Sequence, residues 1–95
     1  MQQPNTRVTD IFKSMADDTR LSIVRKLAKD KCEVKASSIT TDCALALKLS
    51  QPTMSHHFAK LVASGVLLER KIGVEKHYQL NINLLTSIGI DPTKL

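Results

Sequence analysis

Gln51, Thr53, Ser55 and His56 crowd one short stretch with amide, hydroxyl and imidazole groups, all able to exchange hydrogen bonds with a ligand. No carboxylate occurs from Cys43 to Leu68. Small or planar hydrogen-bonding groups suit the base edges of a nucleic acid, and the missing carboxylates leave nothing to repel phosphate. The surrounding run, SQPTMSHHFAKLVAS at 50–64, has helical periodicity. At about 100° per residue, Met54, Phe58, Leu61 and Val62 fall on one side, and Thr53, His56 and Lys60 on the other. Ser50 is a good N-cap, Pro52 is tolerated in the first turn, and Gly65 suits the position that ends a helix. The spacing predicts a helix over 50–64 with one face in the core and the other fit for a major groove. An ordinary solvated helix surface has the same pattern, so the sequence on both sides must decide.

Catalytic chemistry finds no support. G-x-S-x-G, H-E-x-x-H, P-loop and C-x-x-C patterns are absent, and no acid pair is evident. His56 and His57 are adjacent, so on a helix they point about 100° apart and cannot share one substrate. The expectation is a binding protein with no cofactor, not an enzyme.

Ninety-five residues suit one domain over 1–95. A chain this small buries only about 60–65% of the surface that its unfolded form exposes. Only Phe12, Phe58 and Tyr78 are aromatic, so Leu, Ile, Val and Ala must fill the interior, and a second subunit would cover part of the apolar surface. The net charge of +5 favours a polyanionic partner. No apolar run approaches roughly 18 residues, and MQQPNTRVTD lacks the charged-then-apolar order of a signal peptide, which points to the cytoplasm and away from a membrane.

Residues 1–6 contain Pro4 and no periodicity and are expected to be disordered. Val8, Ile11, Phe12 and Met15 then recur at helical spacing. Asp17 or Asp18 caps a second helix running to about Lys29, with Leu21, Val24, Leu27 and Ala28 on its core face and Arg25, Lys26 and Lys29 near its C-terminal end. KDKCEVKASS is a polar connector, and a third helix follows around Ile39, Cys43, Ala44 and Leu47. A brief turn separates it from the 50–64 helix, the spacing of a helix-turn-helix. After Gly65 the period changes to two: VLLERKI and EKHYQL read as a hairpin over 66–80 with Gly73 at the tip. Arg70, Lys71, Lys76 and His77 make this hairpin basic, as a wing that meets phosphate or the minor groove would be. NINLLTSIGI gives a short last helix through Leu84, Leu85 and Ile88, stopped by Gly89 and Pro92. The fold class is mainly α with a small β-hairpin, a winged helix-turn-helix in the order α-α-α-α-β-β-α.

FKSMADDTRLSIVRKLA at 12–28 and LSQPTMSHHFAKLVASGVL at 49–67 resemble the entry signature and the recognition helix of the ArsR/SmtB family of winged-helix repressors. The resemblance covers roughly residues 8–83. It implies a homodimeric regulator that binds double-stranded DNA, usually a repressor released by a metal, an oxidant or another signal. Position by position, Gln51, Thr53, Ser55 and His56 match the family's base- and phosphate-contacting residues. Lys60, Arg70, Lys71 and Lys76 are expected phosphate partners by charge and placement. Arg20 matches the family signature but reads better as an intramolecular partner of Asp17 and Asp18, while His57 either packs internally or faces outward.

The chain departs from the family at both of its metal sites. Where some members carry cysteine-x-cysteine, this sequence reads ITTD, and the last segment, NINLLTSIGIDPTKL, has no histidine and only Asp91. No metal site is expected. Cys32 and Cys43 read as free thiols, Cys43 as a small buried hydrophobe; the alternative is a redox pair whose disulfide would tug on the helix before recognition. A dimer would rest on Val8, Ile11, Phe12 and Met15 with Leu84, Leu85 and Ile88, unless these pack within one subunit. Two recognition helices would then read an inverted repeat with half-sites about 10 base pairs apart. The competing reading is a winged-helix module that docks a protein, although such a face usually exposes aromatics or Leu.

Overall fold

The computed structural model describes residues 8–30 and 33–95. The expectation for residues 1–6 lies outside them. Helix α1 spans Val8–Met15 and buries Ile11, Ser14 and Met15, an i, i+3, i+4 stripe. Helix α2 spans Asp18–Asp30. The Asp17 carboxylate accepts the Arg20 backbone N–H at 3.0 Å, so Asp17, not Asp18, is the cap. The α2 core face is Ile23, Val24, Leu27 and Ala28, and Leu21, expected there, is only half-buried.

The connector KDKCEVKASS is shorter than expected, because its later residues are structured. Val34–Lys35 form strand β1, and α3 spans Ala36–Leu47, starting well before the apolar pattern at Ile39. Helix α3 ends at Lys48, whose φ of +57 places a non-glycine residue in the left-handed region. Its N–H and that of Leu49 bond back to α3 carbonyls, and Lys48, Leu49 and Ser50 make the whole link to the next helix. Helix α4 spans Gln51–Ala63, with Ser50 as N-cap, and Gly65 follows its C-cap Ser64 at φ +88.

Strands β2 (Leu67–Ile72) and β3 (Glu75–Leu80) pair antiparallel in the register Leu67↔Leu80 through Ile72↔Glu75. Gly73, at φ +64, takes the first position of a two-residue turn that requires positive φ. Strand β1 pairs with β3 through Val34↔Tyr78 and Lys35↔His77, so the sheet has three strands in the order β1-β3-β2. Helix α5 spans Ile82–Ser87, and a 3-10 turn at Pro92–Lys94 packs against α2. Asn81 joins wing to α5: its carbonyl accepts from Leu84 N–H at 3.2 Å and its amide donates to Gly65 O at 2.9 Å.

Ile11, Ile23, Leu27, Met54, Phe58, Leu61, Leu67 and Leu85 are fully buried in one core. Each such side chain stabilises the fold by about 1.5–3 kcal/mol through removal from water. Phe58 stacks on Tyr78 with ring centroids 5.0 Å apart, which fixes α4 against the sheet.

Candidate nucleic-acid interface

Met54, Phe58 and Leu61 hold α4 in the core, so rotation of the helix about its axis is fixed and its opposite face must be exposed. That face carries Thr53, His56 and Lys60, while Gln51 and Ser55 lie on the flank beside the cleft between α3, α4 and the sheet, and all five are exposed. Ser50 Oγ accepts from Thr53 N–H at 3.2 Å and donates to Thr53 Oγ1 at 2.9 Å, leaving the Thr53 hydroxyl proton for an outside acceptor. The Gln51 amide donates to Thr41 Oγ1 at 3.0 Å, tying α4 to α3 across the turn and leaving the Gln51 carbonyl oxygen outward. The Ser55 hydroxyl makes no hydrogen bond among the described residues, and the His56 ring meets the edge of His57, with centroids 6.3 Å apart. The four residues singled out from the sequence are therefore all exposed, Thr53 and His56 opposite the core and Gln51 and Ser55 beside the cleft against α3.

His57 turns the other way. Arg20 Nη1 lies 3.2 Å from His57 Nδ1, and Arg20 Nε donates to the Ser14 carbonyl. The expected side-chain pairing of Arg20 with Asp17 and Asp18 is thus replaced: its guanidinium links α1 to α4, and only its backbone N–H goes to Asp17. That backbone bond holds the Asp17 carboxyl below the usual carboxylate range, with a smaller contribution from the guanidinium charge.

The wing is closer to neutral than its cations suggest. Arg70 donates twice to Glu33, Nη2 to Oε1 at 2.7 Å and Nε to Oε2 at 2.9 Å. Lys76 lies 3.6 Å from Glu69, and Lys35 of β1 lies 3.1 Å from Glu75. The Arg70 fork keeps the Glu33 carboxyl below the usual range. Of Arg70, Lys71 and Lys76, only Lys71 has no ion pair among the described residues. The tip residue Val74 is fully exposed.

The residues named for a subunit interface divide into two groups. Ile11, Met15 and Leu85 are buried in the protomer's own core and cannot present a face to a partner. Val8 and Phe12 are each 50% exposed on α1, and Leu84 and Ile88 are half-buried. Cys43 is buried as a free thiol, 4% exposed, and burial pushes its pKa up, which opposes thiolate formation. Cys32, its proposed redox partner, lies outside the described residues. Among the described residues no group of three or more His, Cys, Asp or Glu side chains comes together to hold a metal ion, and no helix is long and apolar enough to cross a membrane.

Two helices joined by a tight turn, the second exposing its polar first turns and followed by a hairpin, define a winged helix-turn-helix domain. The chain belongs to the arsR family of bacterial regulatory proteins, whose family model matches residues 17–67. It is 42% identical over 71 residues to the arsenical resistance operon repressor of Escherichia coli strain K12, covering 75% of this chain and 56% of that protein. The chain thus spans little more than half the length of that relative. The crystal structure of the transcriptional repressor PagR of Bacillus anthracis superposes with a TM-score of 0.65 and 32% identity, over 84% of this chain and 85% of that one. The solution structure of a homodimeric winged helix-turn-helix DNA-binding domain from Mycobacterium bovis gives a TM-score of 0.68 over 93% of this chain and 82% of that one. At 21% identity this last likeness shows the shared fold.

Proposed function

We propose that this chain is a sequence-specific DNA-binding transcriptional regulator, a homodimeric repressor that works in the cytoplasm and reads an inverted repeat with α4 in the major groove. The observation that carries this reading is the exposed first half of α4. Gln51, Thr53, Ser55 and His56 offer donors and acceptors on a helix whose orientation is locked by Met54, Phe58 and Leu61. Bidentate or paired hydrogen bonds from such a turn discriminate a base pair by about 1–3 kcal/mol each. Lys60 and Lys71 supply phosphate contacts directly. Arg70 and Lys76 supply them by exchanging their carboxylate partners for phosphate, at little cost because exposed ion pairs are worth about 0–1 kcal/mol.

The dimer contact is formed by Val8 and Phe12 of α1 and by Leu84 of α5 with Ile88 at its C-cap, the exposed or half-buried neighbours of the core residues Ile11, Met15 and Leu85. Two α4 helices would then enter half-sites about 34–36 Å apart along the duplex. Selection of duplexes from a random pool by the purified protein at physiological salt tests the reading. An enriched inverted repeat, lost with Ser55→Ala/His56→Ala, supports it; no enrichment would move a protein-docking role for the same fold into first place.

A further inference from the structure

A cleft of about 330 Å³ opens where α1, α2 and the C-terminal half of α4 meet, lined by Lys13, Arg20, Lys60, Asp10 and the hydroxyl-bearing Ser14 and Ser64. Three cations face one carboxylate there. Neither Lys13 nor Lys60 has an ion pair among the described residues. This reverses the state of the wing, where Arg70 and Lys76 are already neutralised by Glu33 and Glu69. Arg20 is held in the cleft wall by its bonds to the Ser14 carbonyl and His57, so its charge is fixed in place before any ligand arrives.

We infer that this cleft is a backbone clamp for one phosphate of the bound duplex, supplied by α1 and α2 outside the helix-turn-helix and the wing. Thr53, His56 and Lys60 lie on one stripe of α4 at i, i+3 and i+7. Seven residues of helix advance about 10.5 Å, close to the major-groove width of about 12 Å. With Thr53 at the base edges, Lys60 reaches the flanking strand, and the cleft places Lys13 and Arg20 beside it. The phosphate is a diester of the DNA itself, and the contact positions the protein without reading sequence.

The inference rests on the DNA-binding reading, so the test separates the two. Binding of wild type, Lys13→Gln/Lys60→Gln, Ser55→Ala/His56→Ala and a charge-matched control, Lys29→Gln/Lys94→Gln, is titrated over a range of salt on the selected duplex and on a scrambled one. Circular dichroism checks that each variant is folded. The clamp predicts that Lys13→Gln/Lys60→Gln weakens binding to both duplexes by a similar factor and lowers the magnitude of the salt slope by about 1 per protomer, the loss of one phosphate contact. The Ser55→Ala/His56→Ala variant would instead lose discrimination and keep its slope, and the control would match wild type. Discriminating wild-type binding with a salt slope that Lys13→Gln/Lys60→Gln leaves unchanged, or reduces no more than the control does, overturns the clamp and leaves the regulator reading standing. Failure of wild type to discriminate the duplexes overturns both.

Discussion

Arg20 Nη1 and His57 Nδ1, 37 residues apart, meet at 3.2 Å and couple the start of α2 to the middle of α4. The arginine side chain carries only donors, so in this contact the guanidinium gives the proton to the ring nitrogen. The same guanidinium also holds the Ser14 carbonyl, a two-way fork that a lysine cannot reproduce. Arg20→Lys should therefore cost about 1.5 kcal/mol in urea unfolding. His57→Ala, which removes one arm only, should cost less; equal stability of Arg20→Lys and wild type would show that the fork is not formed.

A buried hydroxyl relay ties the same helices together. Ser64 Oγ donates to Ser14 Oγ at 2.8 Å, and Ser14 Oγ donates to the Ile11 carbonyl at 2.8 Å. Ser64 Oγ also lies 3.0 Å from the Leu61 carbonyl, so replacing either serine by alanine leaves the other a backbone acceptor and forfeits the shared bond, at about 0.5–1.5 kcal/mol. The double variant Ser14→Ala/Ser64→Ala should cost clearly less than the sum of the singles, as read by a double-mutant cycle. Additive costs would mean the two hydroxyls do not interact.

Lys48 pays for its left-handed backbone in strain. An L-residue in that region costs about 1–2 kcal/mol, and glycine returns about 0.5–1 kcal/mol of that as unfolded-state entropy. Lys48→Gly should thus stabilise the protein by up to about 1 kcal/mol, a rise in Tm of about 4–8 °C per kcal/mol in a chain of this size. Lys48→Val should lower it, because β-branching resists positive φ.

Acid should loosen the start of α2. The Asp17 carboxyl is held below its ordinary value by the Arg20 backbone N–H, so the folded state binds its proton less readily than the unfolded one. Its contribution is complete above the ordinary aspartate pKa of about 3.9 and disappears as pH falls through the lowered value. Asp17→Asn keeps a cap without the charge. The stability difference between wild type and Asp17→Asn should be largest near neutral pH and shrink below about pH 4; a difference independent of pH would contradict the cap.

Helices were legible in the sequence where one apolar stripe repeated over two or more turns, as in Met54, Phe58 and Leu61. Strand β1 was not, because Val34–Lys35 is too short to show alternation and exists only through pairing with Tyr78 and His77. The α2 core face was misread at Leu21 because Leu21 and Ile23 lie about 200° apart and only packing decides which turns inward. Ile11 and Phe12 were likewise one stripe in the sequence, and packing sends one to the core and the other to the surface. The exposed residues of the first turns of α4 followed from the cap and the period. The neutralised wing did not, since Glu33 reaches Arg70 from 37 residues away.

The most direct test is the ratio of affinities for the selected inverted repeat and a scrambled duplex, measured at one physiological salt concentration for wild type and for Ser55→Ala/His56→Ala. A wild-type ratio of about 10³ or more, falling by about 10-fold or more in the variant, is the result predicted for a helix that reads bases through its first turns. A ratio near one for wild type, or one that the variant leaves unchanged, would contradict the assignment of α4 as the reading helix.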